Sequence, residues 1–146
     1  FGVAQEYSEV SPRHHMEFLL QYQLRALHHF GLNAYGCCEP YTRKFDMLLN
    51  NVPRLIRVSV SPWCDRREAA EKLQGRAIYS LKPNPAFLAG SFHPELVYED
   101  LKSAVEIAAG NEMEIILKDT FTIENDPLRV TEWTRQARRA MEHWRG

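Results

Sequence analysis

The chain has 146 residues, of which 45% are hydrophobic and 25% are charged, and its formal net charge is −1. The hydrophobic share excludes intrinsic disorder, and the length fits a single domain, residues 1–146, with a buried core. The charge balance argues against a nucleic-acid partner, which normally selects a basic excess. No apolar run reaches the roughly 18 residues that a membrane helix needs, so we expect no membrane partner either.

The three cysteines are Cys37, Cys38 and Cys64. An odd number with two adjacent members is not the disulfide framework of a small secreted protein. No signal-peptide pattern opens the chain. These features predict a reduced, cytoplasmic protein.

The first predicted helix begins at Ser11-Pro12, a hydroxyl N-cap followed by proline in the first turn, and ends at Gly31. A short strand follows over residues 32–37, and a second helix begins near Thr42. The next strand spans residues 55–61 and alternates between apolar and polar side chains, so that its two faces differ. The apolar face carries Ile56, Val58 and Val60, and the polar face carries Arg57, Ser59 and Ser61.

The same alternation of helix and strand continues to the end of the chain. Asp65 and Glu68 form a capping-box pattern at the start of a helix that Gly75 ends. The remaining predicted elements are a strand at residues 77–81, a helix at 93–110, a strand at 113–117 and a helix from Asp126 onward.

This order, a helix followed by four strand–helix units, predicts an α/β protein with a parallel sheet and right-handed crossovers. Two architectures fit it: an open four-stranded sheet and half of an eight-stranded (β/α)8 barrel. An open sheet covered by helices on both faces needs central strands that are apolar throughout. The polar face of strand 55–61 therefore favours the half barrel, whose interior becomes polar towards its mouth.

Ligands of such sheets bind at the carboxyl ends of the strands. The first strand is followed by Cys37, Cys38 and Glu39, side chains that neither turns nor helix caps require. We expect Cys38 and Glu39 to act in catalysis. We expect Cys37 to ligate a metal, with zinc as the candidate, because thiolates are zinc ligands. The alternative is that one of the two cysteines only fills the core.

The other strand ends supply the predicted substrate-binding residues. They are Trp63, Lys82, Asn84 and Lys118. The lysines would hold negative charge, and Trp63 would be either a platform for the substrate or an aromatic residue of the core or of a lid. The sequence therefore predicts a small anionic substrate.

Several segments resemble the carboxyl-terminal half of the uroporphyrinogen decarboxylase superfamily. The resemblance is carried by Glu9-Val10-Ser11-Pro12, Tyr35-Gly36-Cys37-Cys38-Glu39-Pro40, Leu55 to Ser61, Arg67 to Gly75, and Lys82-Pro83-Asn84-Pro85-Ala86-Phe87-Leu88. It implies an eight-stranded βα barrel of which this chain supplies half. The superfamily includes zinc-dependent methyltransferases that move methyl groups between corrinoid proteins and thiols. Their His-x-Cys zinc motif stands here as Tyr35-Gly36-Cys37.

The resemblance implies an enzyme that carries out methyl transfer of the corrinoid or thiol type, or related lyase chemistry, with a corrinoid protein among its partners. A hypothesis of a different class is a non-catalytic module, whose degenerate site binds a small ligand or mediates assembly. A half barrel leaves two unpaired sheet edges and an exposed apolar layer. We therefore also expect either a homodimer or a missing amino-terminal half, which the start at Phe1 rather than Met agrees with.

Overall fold

A computed structural model describes residues 1–145, in which helices and strands alternate along the chain. The helices are α1 Pro12–His15, α2 Gln21–Leu27, α3 Phe45–Asn51, α4 Arg66–Leu73, α5 Pro94–Ile107 and α6 Leu128–Arg145. The strands are β1 Asn33–Tyr35, β2 Leu55–Val60, β3 Ile78–Leu81 and β4 Met113–Ile115. A π-helical turn, Met16–Leu20, joins α1 to α2, so the first predicted helix forms with an irregularity in its middle.

The four strands form one parallel sheet in the order β1-β2-β3-β4, which confirms the predicted α/β class and the parallel sheet. The beginning of the chain extends this sheet beyond β1. The Gly2 N–H donates to the Ala34 carbonyl and the Gly2 carbonyl accepts from the Gly36 N–H, both at 2.9 Å. The sheet therefore has five adjacent positions, all in chain order.

The register of the sheet separates an apolar face from a polar face. Val58 pairs with Tyr79, and Ser59 pairs with Ser80, so residues of like polarity lie side by side on neighbouring strands. The apolar face packs against helices, with α4 lying against β2 and β3. Its fully buried side chains are Tyr35, Val58, Val60, Tyr79 and Leu81.

Local signals place the turns that lead away from the strands. The Asp65 carboxylate accepts the N–H groups of Arg67 and Glu68 at 2.9 and 3.0 Å, and this cap starts α4 as predicted. β1 is shorter than predicted because Gly36 has a φ of 95°, where extended pairing cannot continue. A Cβ at Gly36 would also lie only 2.5 Å from the Tyr41 ring. The two residues that follow Gly36 therefore belong to a turn rather than to the strand.

The two longest helices, α5 and α6, pack along each other at the end of the chain. The Arg139 guanidinium lies over the Tyr98 ring, 3.7 Å from its centroid, and pairs with Glu95 at 3.2 Å. Within residues 1–145, no helix has both the length and the apolar character needed to cross a membrane.

Candidate functional site

The carboxyl ends of the strands surround a cavity of about 120 Å³. This space is much smaller than the roughly 300–1,000 Å³ that hold drug-sized ligands, so it suits a ligand of a few non-hydrogen atoms. The lining consists of Cys38, Pro62, Trp63, Lys82, Pro83, Asn84, Pro85, Lys118 and Asp119. Five of the seven residues that the sequence predicts as site residues are among them: Cys38, Trp63, Lys82, Asn84 and Lys118.

Larger depressions lie elsewhere on the surface. Two of them, of about 430 and 420 Å³, run along α6, and the first is lined by α6 residues alone. The small cavity is the better candidate because it brings ionisable side chains together from three loops that are distant in sequence.

Lys82 is the buried cation of this cavity, with 7% of its surface exposed. Its N–H donates to the Val60 carbonyl at 2.9 Å, which continues the sheet pairing one residue past β3. Its ammonium donates to the Ser80 hydroxyl at 2.7 Å. Among the described residues, no carboxylate lies within ion-pair distance of the Lys82 ammonium.

Burial and neighbouring charges determine the protonation of Lys82. Burial lowers its pKa to about 8, Glu114 opposes this shift, and Arg57 and Lys118 add to it. The amine therefore exists in both protonation states near neutral pH. An ordinary exposed lysine is almost fully protonated there.

A hydrogen-bonded network on the polar face of the sheet supports Lys82. Ser80 accepts from Lys82 and donates to the Glu114 carboxylate at 2.5 Å. The same carboxylate oxygen lies 2.7 Å from Nε of Arg57. The negative charge of Glu114 is therefore matched by Arg57, and Lys82 receives only the neutral hydroxyl.

Lys118 approaches the cavity from the end of β4 and is paired. Its ammonium lies 2.6 Å from a carboxylate oxygen of Asp119 and donates to Sγ of Cys37 at 2.8 Å. Burial lowers the pKa of Lys118, but the hydrogen bonds with Asp119 and Cys37 outweigh this and raise it above its usual range. The hydrogen bond from Lys118 lowers the pKa of the Asp119 carboxyl. Lys118 thus stays a fixed positive charge across the pH range in which Lys82 titrates.

Glu39 is not among the residues that line the cavity, and only 4% of its surface is exposed. One carboxylate oxygen accepts the Ala4 N–H at 2.9 Å and the Tyr41 hydroxyl at 2.5 Å, and the other accepts the Cys37 N–H at 2.9 Å. Burial raises the pKa of Glu39, but these donors more than compensate and hold it below its usual range. In this arrangement Glu39 anchors the turn after β1 to the first residues of the chain.

The predicted metal ligands are close together but already engaged. One ligand atom each from Cys37, Cys38 and Glu39 lies within 4.8 Å of the others. However, Lys118 donates to Cys37, Gln5 donates to Sγ of Cys38 at 2.7 Å, and three donors surround Glu39. Zinc needs lone pairs that point at the ion and usually four ligands. The donor set as folded therefore fits zinc poorly, and zinc stays a prediction of the sequence.

The remaining cavity residues have distinct environments. Trp63 is 69% exposed and stands at the rim. The Asn84 side-chain carbonyl accepts the Ala86 N–H at 3.0 Å, which fixes the side chain at the start of the short helical turn Pro85–Leu88. Burial and a hydrogen bond with Asp119 raise the pKa of Cys38, so its thiol stays protonated near neutral pH. Cys64 is buried, and its sulfur accepts the Tyr41 N–H at 3.3 Å, which is a packing role.

Sequence reasoning missed Asp119 and the supporting network behind Lys82. Asp119 carried a usable signal, because it follows Lys118 directly at the end of a predicted strand. Glu114 carried none, since its contact with Ser80 depends on the pairing of β3 with β4. Gln5 likewise reaches Cys38 only because the start of the chain lies beside β1.

Comparison of the chain with protein family models, with curated proteins and with solved structures gives no match.

Proposed function

We propose that this chain is the carboxyl-terminal half of a barrel enzyme similar to the uroporphyrinogen decarboxylase superfamily, and that it binds a small anionic substrate for lyase chemistry. The observation that carries the proposal is the buried Lys82 ammonium, which lines the cavity without a carboxylate partner among the described residues. Burying an unpaired ammonium is costly, and an anionic ligand would offset that cost.

The strand order supports the half-barrel part of the proposal. Right-handed crossovers between strands that follow chain order place every connecting helix on the same side of the sheet. The opposite face carries Ser59, Ser80, Arg57 and Glu114, which are polar side chains suited to a barrel interior near its mouth. A doubly wound sheet would instead reverse its strand order at a switch point.

The charges around the cavity support an anionic substrate. Lys118 is paired with Asp119, and Arg57 is paired with Glu114, so Lys82 contributes the unmatched positive charge. Lys82 and Lys118 reach the cavity from neighbouring strands, where two oxygens of one carboxylate can meet both.

Lyase chemistry is favoured over methyl transfer because the methyl-transfer alternative depends on zinc, which the donor set fits poorly. In a decarboxylation, the bond between the carboxylate carbon and the neighbouring carbon breaks, and carbon dioxide leaves. The electron pair of that bond stays on the neighbouring carbon, which then needs a proton. Lys82, whose pKa is about 8, and the protonated thiol of Cys38 are available donors in the cavity.

The test is calorimetric titration with small mono- and dicarboxylates, together with an assay of carbon dioxide release. Lys82→Met is expected to weaken carboxylate binding at least ~10-fold, because it removes a charge-assisted hydrogen bond. Lys102→Met is the matched control, since Lys102 lies on α5 outside the cavity and its loss should leave affinity unchanged.

Two outcomes would contradict the proposal. Absence of carboxylate binding in the unaltered chain would overturn the anionic-substrate assignment. Binding that depends on Lys82 without any turnover would favour the non-catalytic ligand-binding module instead.

A half barrel also predicts an assembly, with a second copy or a separate amino-terminal half closing the sheet. Light scattering after gel filtration distinguishes these cases. A mass near twice 17.0 kDa would favour closure by a second copy. A mass of 17.0 kDa would overturn the homodimer and leave a separate half as the partner to be tested.

A further inference from the structure

We propose that Lys82 is a covalent nucleophile that forms an imine with the carbonyl group of a 3-oxo acid, and that this imine drives decarboxylation. The inference rests on the proposed function, because it names the substrate class of the same cavity. It begins from the contacts of the Lys82 amine, which lines the cavity and has one neutral acceptor behind it.

Lys82 is placed as an imine-forming lysine must be. Lys82 lines a cavity of about 120 Å³, which suits only small ligands, at the carboxyl end of a parallel strand. The Ser80 hydroxyl fixes the amine from behind at 2.7 Å, and Arg57 and Lys118 provide positive charge nearby. Burial and adjacent cations are the two means by which proteins keep a lysine amine neutral and reactive. With a pKa of about 8, about 10% of Lys82 is neutral at pH 7, against less than ~0.1% of an ordinary lysine.

The covalent step is balanced by groups within the cavity. The neutral Lys82 nitrogen attacks the ketone carbon. The ketone oxygen leaves as water with one hydrogen of the amine and one proton from the solvent, and the nitrogen keeps its other hydrogen, so a protonated imine remains. The bond between the carboxylate carbon and its neighbour then breaks, and its electron pair forms an enamine with the imine nitrogen as electron sink. Carbon dioxide leaves, and the Cys38 thiol, which lines the cavity, delivers a proton to the enamine carbon. Water then releases the ketone product and the neutral amine, and the proton set free returns to the Cys38 sulfur.

The second lysine explains why the ketone should carry an acid group. Lys118 does not compete as a nucleophile, because its ammonium lies 2.6 Å from a carboxylate oxygen of Asp119 and donates to Sγ of Cys37 at 2.8 Å. These two contacts use two of its three N–H donors, so the third can hold the carboxylate at the same cavity while Lys82 reaches the ketone. Trp63 at the rim can cover the uncharged end of the substrate.

The experiment uses the full chain, sodium cyanoborohydride as the trapping reductant, and three probes: acetoacetate, pyruvate and acetone. Acetoacetate is expected to give a reduced adduct at Lys82, located by peptide mass spectrometry. Part of this adduct should have the mass of trapped acetone, because decarboxylation precedes reduction. Pyruvate has no 3-oxo carboxylate to lose and should be trapped intact, whereas acetone, which lacks the charge, should be trapped at least ~10-fold more slowly.

Lys82→Arg separates the nucleophile from the charge. Arginine keeps a positive charge at the position but forms no imine under these conditions, so carboxylate binding should persist while trapping is lost. Circular dichroism and carboxylate affinity show whether this variant is folded. Lys102→Met should be trapped at Lys82 like the unaltered chain.

The outcomes distinguish this inference from the proposed function. Carboxylate binding without any adduct, or an adduct at Lys118 or Lys102 rather than Lys82, would overturn imine formation and leave the anionic site intact. Trapping of acetone at Lys82 without carboxylate binding would support the nucleophile and overturn the anionic substrate.

Discussion

Glu39 and Lys82 are both buried charges at the carboxyl ends of strands, yet their surroundings are opposite. Glu39 accepts hydrogen bonds from Ala4, Cys37 and Tyr41. Lys82 donates to Ser80 and, among the described residues, meets no carboxylate at ion-pair distance. Donors keep the pKa of Glu39 below its usual range, whereas burial takes that of Lys82 down to about 8.

This contrast indicates that the charge of Glu39 stabilises the fold, whereas the charge of Lys82 is the one that we propose binds a ligand. A carboxylate with three donors is stabilised as an ion and ties two loops together. A buried ammonium with one neutral acceptor is destabilised as an ion, and an anion that enters the cavity would stabilise it. Changes at the two positions should therefore affect stability in opposite directions.

Glu39→Ala should reduce stability more than any other change considered, because it leaves two backbone N–H groups and the Tyr41 hydroxyl without their acceptor. The free energy of unfolding, measured with urea, should fall by about 3 kcal/mol, the usual cost of leaving buried donors unpaired. Tyr41→Phe, which removes one of the three hydrogen bonds, should cost about 1 kcal/mol. Glu71→Ala is the control, because Glu71 is exposed on α4 and its loss should change stability by less than about 0.5 kcal/mol.

Equal stability of Glu39→Ala and Glu71→Ala would contradict a stabilising role for the Glu39 hydrogen bonds. It would mean that the turn after β1 finds other acceptors, and that Glu39 is free for the catalytic role predicted from the sequence.

A smaller effect is expected from Lys82→Met, and its sign depends on pH. The pKa of Lys82 is about 8 in the folded chain and about 10.4 when unfolded, so between these values the unfolded chain binds more protons. The contribution of Lys82 to the free energy of unfolding therefore rises with pH through this window, by up to about 1.4 kcal/mol per pH unit. The measurement is the free energy of unfolding of the original chain minus that of the variant, at pH 7, 8, 9 and 10.

At pH 7 Lys82→Met should be at least as stable as the original chain, because it removes a buried, unpaired charge. At the higher pH values the original chain should become more stable relative to the variant. A difference that stays constant or reverses would show that Lys82 is an ordinary lysine, and the comparison with Glu39 would fail.

Periodicity and capping patterns were sufficient to predict the parallel sheet. Alternation at residues 55–61 reflects two faces with different neighbours, and the Asp65 cap requires only local contacts. The end of β1 was predicted too late, because glycine adopts either sign of φ and the residue type alone does not show that Gly36 has a φ of 95°. The half barrel stays a proposal, because its closure would need strands from outside this sheet, which no local pattern can establish.

The sequence also predicted five of the residues that line the cavity, because the carboxyl ends of parallel strands lie together along one edge of the sheet. It could not assign roles within that set. Whether Cys37 faces a metal or a lysine depends on Lys118, which lies 81 positions away in the chain. That Lys82 lacks a carboxylate partner depends on Arg57 matching Glu114 across β3.

Zinc should change stability least, and it tests whether the hydrogen bonds around Glu39 leave that carboxylate free to bind a metal. A ligand present at 100 times its Kd stabilises a fold by about 2.7 kcal/mol, which would raise the melting temperature by several degrees in a chain of this length. We expect a shift of less than about 1 °C with excess zinc, because binding must displace the donors that now hold Cys37, Cys38 and Glu39. A rise of several degrees that disappears in Cys37→Ser, but persists in Cys64→Ser, would show that these donors yield to the metal. Glu39 would then be a zinc ligand positioned by its hydrogen bonds, and the zinc site predicted from the sequence would be supported.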